Sequence, residues 1–269
     1  MKSFKEQVAF VSGAGGGIGL GIARTLAKRG AKLAIADIQK DLLEKAGAEL
    51  RALGADVMTI QLDVADRKAV YEAADRIEDH YGEIHLVFNN AGVGYVGTPL
   101  DKVPDEVFDW VIGINLVGVM SAMKAFVPKL RKHGKGGHIV NTSSMAGLVL
   151  NPGWHAGVYS ATKMGVIALS HDMRDSLAAD GIGVSVFCPG LVKTDLEKNT
   201  GKLQPASGRQ VASVTPDLLK QGDMSPDEAG EIVLRGIQND DFYILTHPQL
   251  WPQVAQYHEG IHQAFIKYS

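Results

Sequence analysis

At 269 residues, with 45% hydrophobic and 21% charged side chains, the chain can bury a large core and is too apolar to stay disordered. Its 27 basic and 30 acidic residues give a net charge of −3, leaving no basic excess to neutralise a nucleic-acid backbone. One cysteine, Cys188, excludes an internal disulfide framework and a cysteine-only zinc site, and fits a reducing compartment.

The most apolar run, Val111 to Met123, is interrupted by Asn115 and is shorter than the roughly 20 residues of a spanning helix. Lys5, Glu6 and Gln7 break the superficial signal-peptide pattern of Met1 to Ala23. A cytoplasmic protein without a membrane partner is expected. Asn141-Thr142-Ser143 fits a glycosylation sequon, but ends an apolar strand and reads as chance.

In chain order, Val8–Ser12 predicts a strand and Gly19–Arg29 a helix ending near Gly30. Lys32–Asp37 is a strand, Asp41–Leu53 a helix stopped by Gly54, and Val57–Leu62 a strand. Asp66 can cap a helix over Lys68–Tyr81. His85–Asn89 follows as a strand, then helical material over Val103–Lys132, broken around Gly113 and Pro128. His138–Asn141 is a strand, Tyr159–Ala179 a helix and Gly183–Cys188 a strand. Leu196–Asp223 has weak periodicity, so 195–225 reads as an irregular substrate lid. Ser225-Pro226-Asp227-Glu228 is a capping box opening a helix to about Gln238, and Phe242–Leu245 is a last strand before a tail over 247–269. Continuous apolar strands alternating with helices predict one α/β domain, 1–269, a doubly wound parallel sheet of Rossmann type with helices on both faces.

Three motifs carry chemistry. Ser12-Gly13-Ala14-Gly15-Gly16-Gly17-Ile18-Gly19 follows a strand and opens a helix, so its backbone can approach a pyrophosphate at a helix N-terminus. Asp37 ends the next strand, eighteen residues after Gly19, where a carboxylate can bind ribose hydroxyls and would repel a 2′-phosphate. With Ile38 and Gln39 next to it and no Arg or Lys in the glycine tract, NAD is expected over NADP. Asp37 could equally be an ordinary helix-capping acid.

Tyr159 and Lys163 lie four apart on a helix, hence on one face, where an ammonium favours a phenolate and makes the tyrosine a general acid or base. Such a pair is also a common structural accident. Asn141-Thr142-Ser143-Ser144 follows a strand, where a hydroxyl can point into the ligand crevice of an open sheet.

The order of these motifs resembles the short-chain dehydrogenase/reductase superfamily, specifically its single-domain branch, from about Lys5 to Thr246. The glycine tract is similar to the family's Thr-Gly-x-x-x-Gly-x-Gly, with Ser12 for the usual Thr, so that Gly13, Gly16, Gly17, Ile18 and Gly19 would hold cofactor. By the same resemblance Asp63 and Val64 would contact adenine. Asn90, Ala91 and Gly92 of Asn89-Asn90-Ala91-Gly92 would line the cofactor. Pro189, Gly190, Val192 and Thr194 of Pro189-Gly190-Leu191-Val192-Lys193-Thr194 would cover the nicotinamide. Asn115, Ser144, Tyr159 and Lys163 match the catalytic tetrad. The resemblance implies that Tyr159 exchanges the proton on the substrate oxygen and that Tyr159 and Lys163 both also contact the cofactor, Lys163 on the nicotinamide ribose. Ser144 would position the substrate oxygen, and Asn115 would hold a relay water.

One spacing departs from the family. Ser144 and Tyr159 are fifteen positions apart rather than thirteen, which lengthens the loop Met145–Val158 beside the substrate. Leu150, Trp154 and His155 of that loop are candidate substrate residues, with Leu148 adding to an apolar wall. The expected substrate is an apolar secondary alcohol or ketone. The alternatives are a 3-oxoacyl thioester reductase, disfavoured by Asp37, and a non-catalytic dinucleotide-binding protein. A homodimer or homotetramer through helices around 104–130 and 160–179 is implied by the resemblance.

His258-Glu259-Gly260-Ile261-His262 spells a zinc-helix motif, but Gly260 weakens the helix and a third ligand is lacking nearby, so no metal is expected. Trp251, Tyr257, Phe265 and Tyr268 of the tail fit a pocket cap, a subunit interface or plain packing. Cys188 reads as a small buried hydrophobe.

Overall fold

The computed structural model describes residues 3–150, 153–209 and 223–269. Seven parallel strands run in the order β3-β2-β1-β4-β5-β6-β7. They are β1 (Val8–Ser12), β2 (Lys32–Asp37), β3 (Val57–Gln61), β4 (Leu86–Asn89), β5 (Gly137–Thr142), β6 (Ile182–Cys188) and β7 (Tyr243–Leu245). Strands β1, β4, β5 and β6 are buried almost throughout, because helices cover both sheet faces. One face packs α1 (Gly17–Ala27), α2 (Lys40–Ala52) and α9 (Pro226–Asn239) through Leu26, Leu50 and Val233. The other packs α3 (Arg67–Tyr81) and α5 (Gly118–His133) through Ile77 and Phe126, the latter stacked on Phe10 at 4.5 Å. The remaining helices are α4 (Asp105–Ile112), α6 (Gly157–Leu177), α7 (Leu196–Leu203), α8 (Ala206–Arg209) and α10 (Trp251–Lys267). This is the doubly wound Rossmann-like domain expected, and its strand order reverses between β1 and β4. That is where such sheets open a ligand crevice at their carboxyl ends.

Local signals place the helix starts. Asp66 accepts from the Ala69 N–H and opens α3. Ser225 and Glu228 form the reciprocal capping box of α9. Three expectations are corrected. Pro128 does not break α5, because Phe126, Val127 and Leu130 around it are buried and hold the helix against the sheet. Nor is there a break at Gly113: a π-turn over Gly113–Val117 joins α4 to α5 in one helix, Asp105–His133. By length and composition this helix is long and apolar enough to cross a membrane, where Val111–Met123 alone is too short, but more than half of its apolar stretch is buried inside the fold. Finally, 196–209 is not irregular but forms α7 and α8; residues 210–222 of the expected lid lie outside the described residues.

His138 on β5 is buried, and its Nε2 lies 2.7 Å from the Ser185 hydroxyl, which donates to the Asp241 carbonyl. Ser185 has thus committed its proton, so the Nε2–H of the ring donates to it. Burial pushes this imidazole down to about 4. The unfolded chain takes up a proton first, so folded stability drops as pH falls from about 6.5 toward 4, by up to about 3 kcal/mol. Melting temperature measured against pH should fall more steeply across this window in the natural protein than in His138→Gln.

Candidate active site

The glycine tract forms the turn between β1 and α1. Gly13 has φ +66°, and a side chain there would strike the Ala91 Cα at 2.8 Å. The Ser12 hydroxyl accepts from the Asn90 and Ala91 N–H groups at 3.0 and 3.1 Å, and the Asn90 amide donates to the Ser12 carbonyl. These bonds lock the end of β4 to the end of β1. Helix α1 has no side-chain cap and no acid in its first turn, so its leading N–H groups face the crevice without a carboxylate. Space beside Gly16 is open. Ile18 packs on the core while Gly17 lies against Thr194. An anionic pyrophosphate fits this cradle.

Asp37 does not cap α2; Gln39 is the cap position. Its Oδ2 accepts from Gly15 N–H at 3.0 Å and its Oδ1 from Gln39 N–H at 2.9 Å. Burial pushes its carboxyl up, and the backbone N–H groups of Gln39, Gly15 and Ile38 pull it back. Each oxygen keeps a lone pair for a hydroxyl. Asp63 is exposed, and its side chain turns onto the Ala65 N–H, with Val64 half-buried after it.

The tetrad residues converge beside this cradle. Lys163 is buried, and its ammonium donates to the Thr142 carbonyl at 3.0 Å and lies 5.6 Å from the Tyr159 ring centre. Burial lowers it to about 8. Burial likewise pushes the Tyr159 phenol up, and the Ser144 hydroxyl beside it works the other way. Ser144, half-buried, accepts from Ala146 N–H at 3.1 Å, whereas Ser143 is buried with its hydroxyl committed to the Lys163 carbonyl at 2.7 Å. Of the two serines, the free edge of the crevice belongs to Ser144.

Asn115 sits on the π-turn, fully buried, a kind of helix irregularity common at functional sites. Its amide makes both bonds to Val93, accepting from N–H and donating to the carbonyl at 2.8 Å each, and reaches Thr162 at 3.3 Å. A side chain on Gly92 would lie 3.2 Å from Asn115 Oδ1 and 3.5 Å from Lys163 Nζ, so this glycine keeps the two in one chamber.

The segment 189–194 closes the other side. The Pro189 carbonyl accepts from the Met145 N–H at 3.0 Å, next to Ser144, and Val192 bridges to Met224. Gly190 lies between Ser144 and β7, and its N–H donates to Thr246.

Among the candidate substrate residues, Trp154 is half-buried and its carbonyl accepts from Gly97 N–H at 3.0 Å. Leu150 and His155 are exposed, and His155 takes φ +46° in the turn. Two features escaped the sequence reading. Thr200 on α7 is buried and accepts from the Gly94 N–H at 3.0 Å, bringing Leu196 over the crevice wall. Val254, Leu250 and Tyr257 at the start of α10 pack on Met145, Leu148 and Val149. The amphipathic spacing of the tail was the available signal for the second; the first depends on a contact across 106 residues. The other tail aromatics, Trp251, Phe265 and Tyr268, are exposed. His258, Glu259 and His262 lie on the exposed end of α10, which Gly260 does not break, and no group of three or more metal-ligating side chains occurs among the described residues.

The sequence matches the short chain dehydrogenase family over residues 7–204. It is 36% identical to the C alpha-dehydrogenase of Sphingobium sp. (strain NBRC 103272 / SYK-6), over 97% of this chain and 87% of that protein. The crystal structure of a short chain dehydrogenase/reductase from Burkholderia phymatum in complex with NAD superposes with TM-score 0.91 at 32% identity, covering 98% of this chain and 97% of that one. Carveol dehydrogenase from Mycobacterium avium, also in complex with NAD, superposes with TM-score 0.77 at 28% identity, covering 91% of this chain and 96% of that one. The chain therefore belongs to the short-chain dehydrogenase/reductase superfamily of oxidoreductases, acting on CH–OH groups.

Proposed function

We propose that the protein is an NAD-dependent dehydrogenase of apolar secondary alcohols, working reversibly on the corresponding ketones. The observation that carries this reading is the convergence of Ser144, Tyr159 and Lys163 on one crevice whose floor is an uncapped helix N-terminus. A bound nicotinamide supplies the hydride acceptor or donor. Gly13, Gly16, Gly17, Ile18 and Gly19 cradle the pyrophosphate, Asp63 and Val64 border the adenine, and Asn90, Ala91 and Gly92 line the middle. Pro189, Gly190, Val192 and Thr194 cover the nicotinamide end.

Tyr159 takes the carbinol proton and returns it in the reverse direction, while the Ser144 hydroxyl holds the substrate oxygen. Lys163 binds the ribose and brings a positive charge beside the phenol, which opposes the upward push of burial. Asn115 fixes Val93, the start of the substrate wall, and its Oδ1 retains one lone pair for a relay water. Leu150, Trp154 and His155, with Leu196 opposite, border the substrate. The names of the relatives, a C alpha-dehydrogenase and a carveol dehydrogenase, support a carbinol substrate, and the carbon-rich loop supports an apolar one. Assembly as a homodimer or homotetramer and a cytoplasmic location complete the reading; Phe108 on α4, 43% exposed, offers an apolar contact for the former.

Cofactor choice rests on Asp37, whose carboxylate would meet a 2′-phosphate as like charge. Steady-state rates with NAD and NADP test it. The natural protein is expected to prefer NAD, and Asp37→Ser to cut the NAD/NADP ratio of kcat/KM by at least about tenfold, the equivalent of roughly 1.4 kcal/mol. An unchanged ratio, or a natural preference for NADP, would contradict the role given to Asp37.

A further inference from the structure

Beyond the tetrad, the carboxyl end of β7 carries a buried polar chain that reaches into the 189–194 segment. Thr246 and His247 are both buried. Thr246 Oγ1 accepts from the Gly190 N–H at 2.9 Å and lies 2.6 Å from His247 Nδ1. His247 Nε2 lies 3.3 Å from Asp223 Oδ1, a carboxylate at the surface. The hydrogen positions follow from the partners. A carboxylate only accepts, so Nε2 carries the proton; in the neutral ring Nδ1 then accepts the threonine O–H. The Thr246 hydroxyl thus accepts one bond and donates one, and each His247 ring nitrogen has one partner, in a line running from Asp223 to the Gly190 N–H.

The ring also sets a steric limit. A side chain built on Gly190 would fall 2.6 Å from His247 Nδ1 and 2.7 Å from Cγ, so the imidazole rests directly on the Gly190 backbone. On the opposite side the Pro189 carbonyl is tied to Met145 N–H. Further along, Lys193 N–H donates to the Met224 carbonyl, one residue from Asp223. The peptide between Pro189 and Gly190 is therefore held between the residue after Ser144 and the Thr246 hydroxyl. Among the described residues the Gly190 N–H donates to the Thr246 hydroxyl alone.

We propose that Thr246 and His247 are positioning residues for the nicotinamide end of the site: the Asp223–His247–Thr246 chain fixes the Gly190 peptide against which the ring of the dinucleotide is held. This rests on the dinucleotide reading above. Glu228 and Gln249 face the same hollow as Asp223 and His247, and neither is hydrogen-bonded to the ring.

The test is direct binding by calorimetry of NAD and of ADP-ribose, which lacks the nicotinamide, to the natural protein and to Thr246→Val, Thr246→Ser and His247→Phe. Losing one such hydrogen bond is expected to raise the NAD dissociation constant about three- to tenfold in Thr246→Val. His247→Phe, which keeps ring bulk but removes the acceptor of the threonine O–H, moves the same way. ADP-ribose binding stays within about twofold, and Thr246→Ser restores the natural value for NAD. Equal weakening of both ligands would make the chain a structural tie and overturn the proposal, as would no change in either. If the natural protein binds neither molecule, the dinucleotide reading itself fails, and the proposal with it.

Discussion

Tyr159→Phe is expected to lower turnover by about 10²- to 10⁴-fold, the range supplied by a positioned general acid or base, while the NAD dissociation constant stays within about twofold. The substitution removes one hydroxyl and keeps the ring, so packing on α6 is nearly conserved. Among the described residues, the side chain that hydrogen-bonds the phenol is Ser144. A dehydrogenase that lost this proton carrier could still bind cofactor, because the pyrophosphate cradle, Asp37 and the 189–194 segment are untouched. Turnover within about twofold of the natural rate would assign the proton to another group.

Lys163→Met should separate activity from stability. The ammonium is buried and held down to about 8, against 10.5 for a free lysine. The sign follows from the depressed value. Between about 8 and 10.5 the unfolded chain binds more protons, so folded stability rises with pH across that window, and below it the buried charge destabilises the fold. At pH 7 the cost is on the order of 3 kcal/mol, and the mutant's relief from it is offset in part by the lost hydrogen bond to the Thr142 carbonyl. Lys163→Met is therefore expected to abolish measurable turnover while its melting temperature at pH 7 does not fall. Its melting temperature should also lose the rise that the natural protein shows from pH 8 to 10.5. A fall of several degrees at pH 7 would mean that Lys163 serves packing before chemistry. A group held at a net cost to the fold is a mark of function, since a Met of similar volume would suit the core better.

Much of the fold was legible because its signals are local. Apolar runs gave the strands, and Asp66 and Ser225 marked helix starts that the structure keeps. Where a distant partner decides the outcome, the sequence misleads. Pro128 reads as a breaker, yet α5 runs through it because the buried residues on either side hold the helix. The helix α7 has Gly201 and Asn199 within eight residues and little intrinsic preference; the Gly94 N–H, far away in sequence, donates to its Thr200 hydroxyl and anchors it. The site shows the same division. The motifs name Asn115, Ser144, Tyr159 and Lys163, but only the fold shows the Asn115 side chain committed to Val93. Only the fold, likewise, distinguishes Ser144 from Ser143 by what their hydroxyls already bind. Asp37 reads in the sequence as a cap or as a ribose ligand; the fold puts the cap of α2 at Gln39 and ties Asp37 to the Gly15 N–H instead. Thr246 and His247 had no motif to announce them.

The most direct test of the account is absorbance at the NADH band with purified protein, NAD and a panel of secondary alcohols of graded polarity, with Tyr159→Phe in parallel. The account predicts NADH formation with an apolar member of the panel, slower with NADP, and its near-loss in Tyr159→Phe. Silence across the panel from protein that binds NAD would contradict the assignment of an alcohol dehydrogenase. It would leave a dinucleotide-binding protein whose tetrad does no chemistry on these substrates.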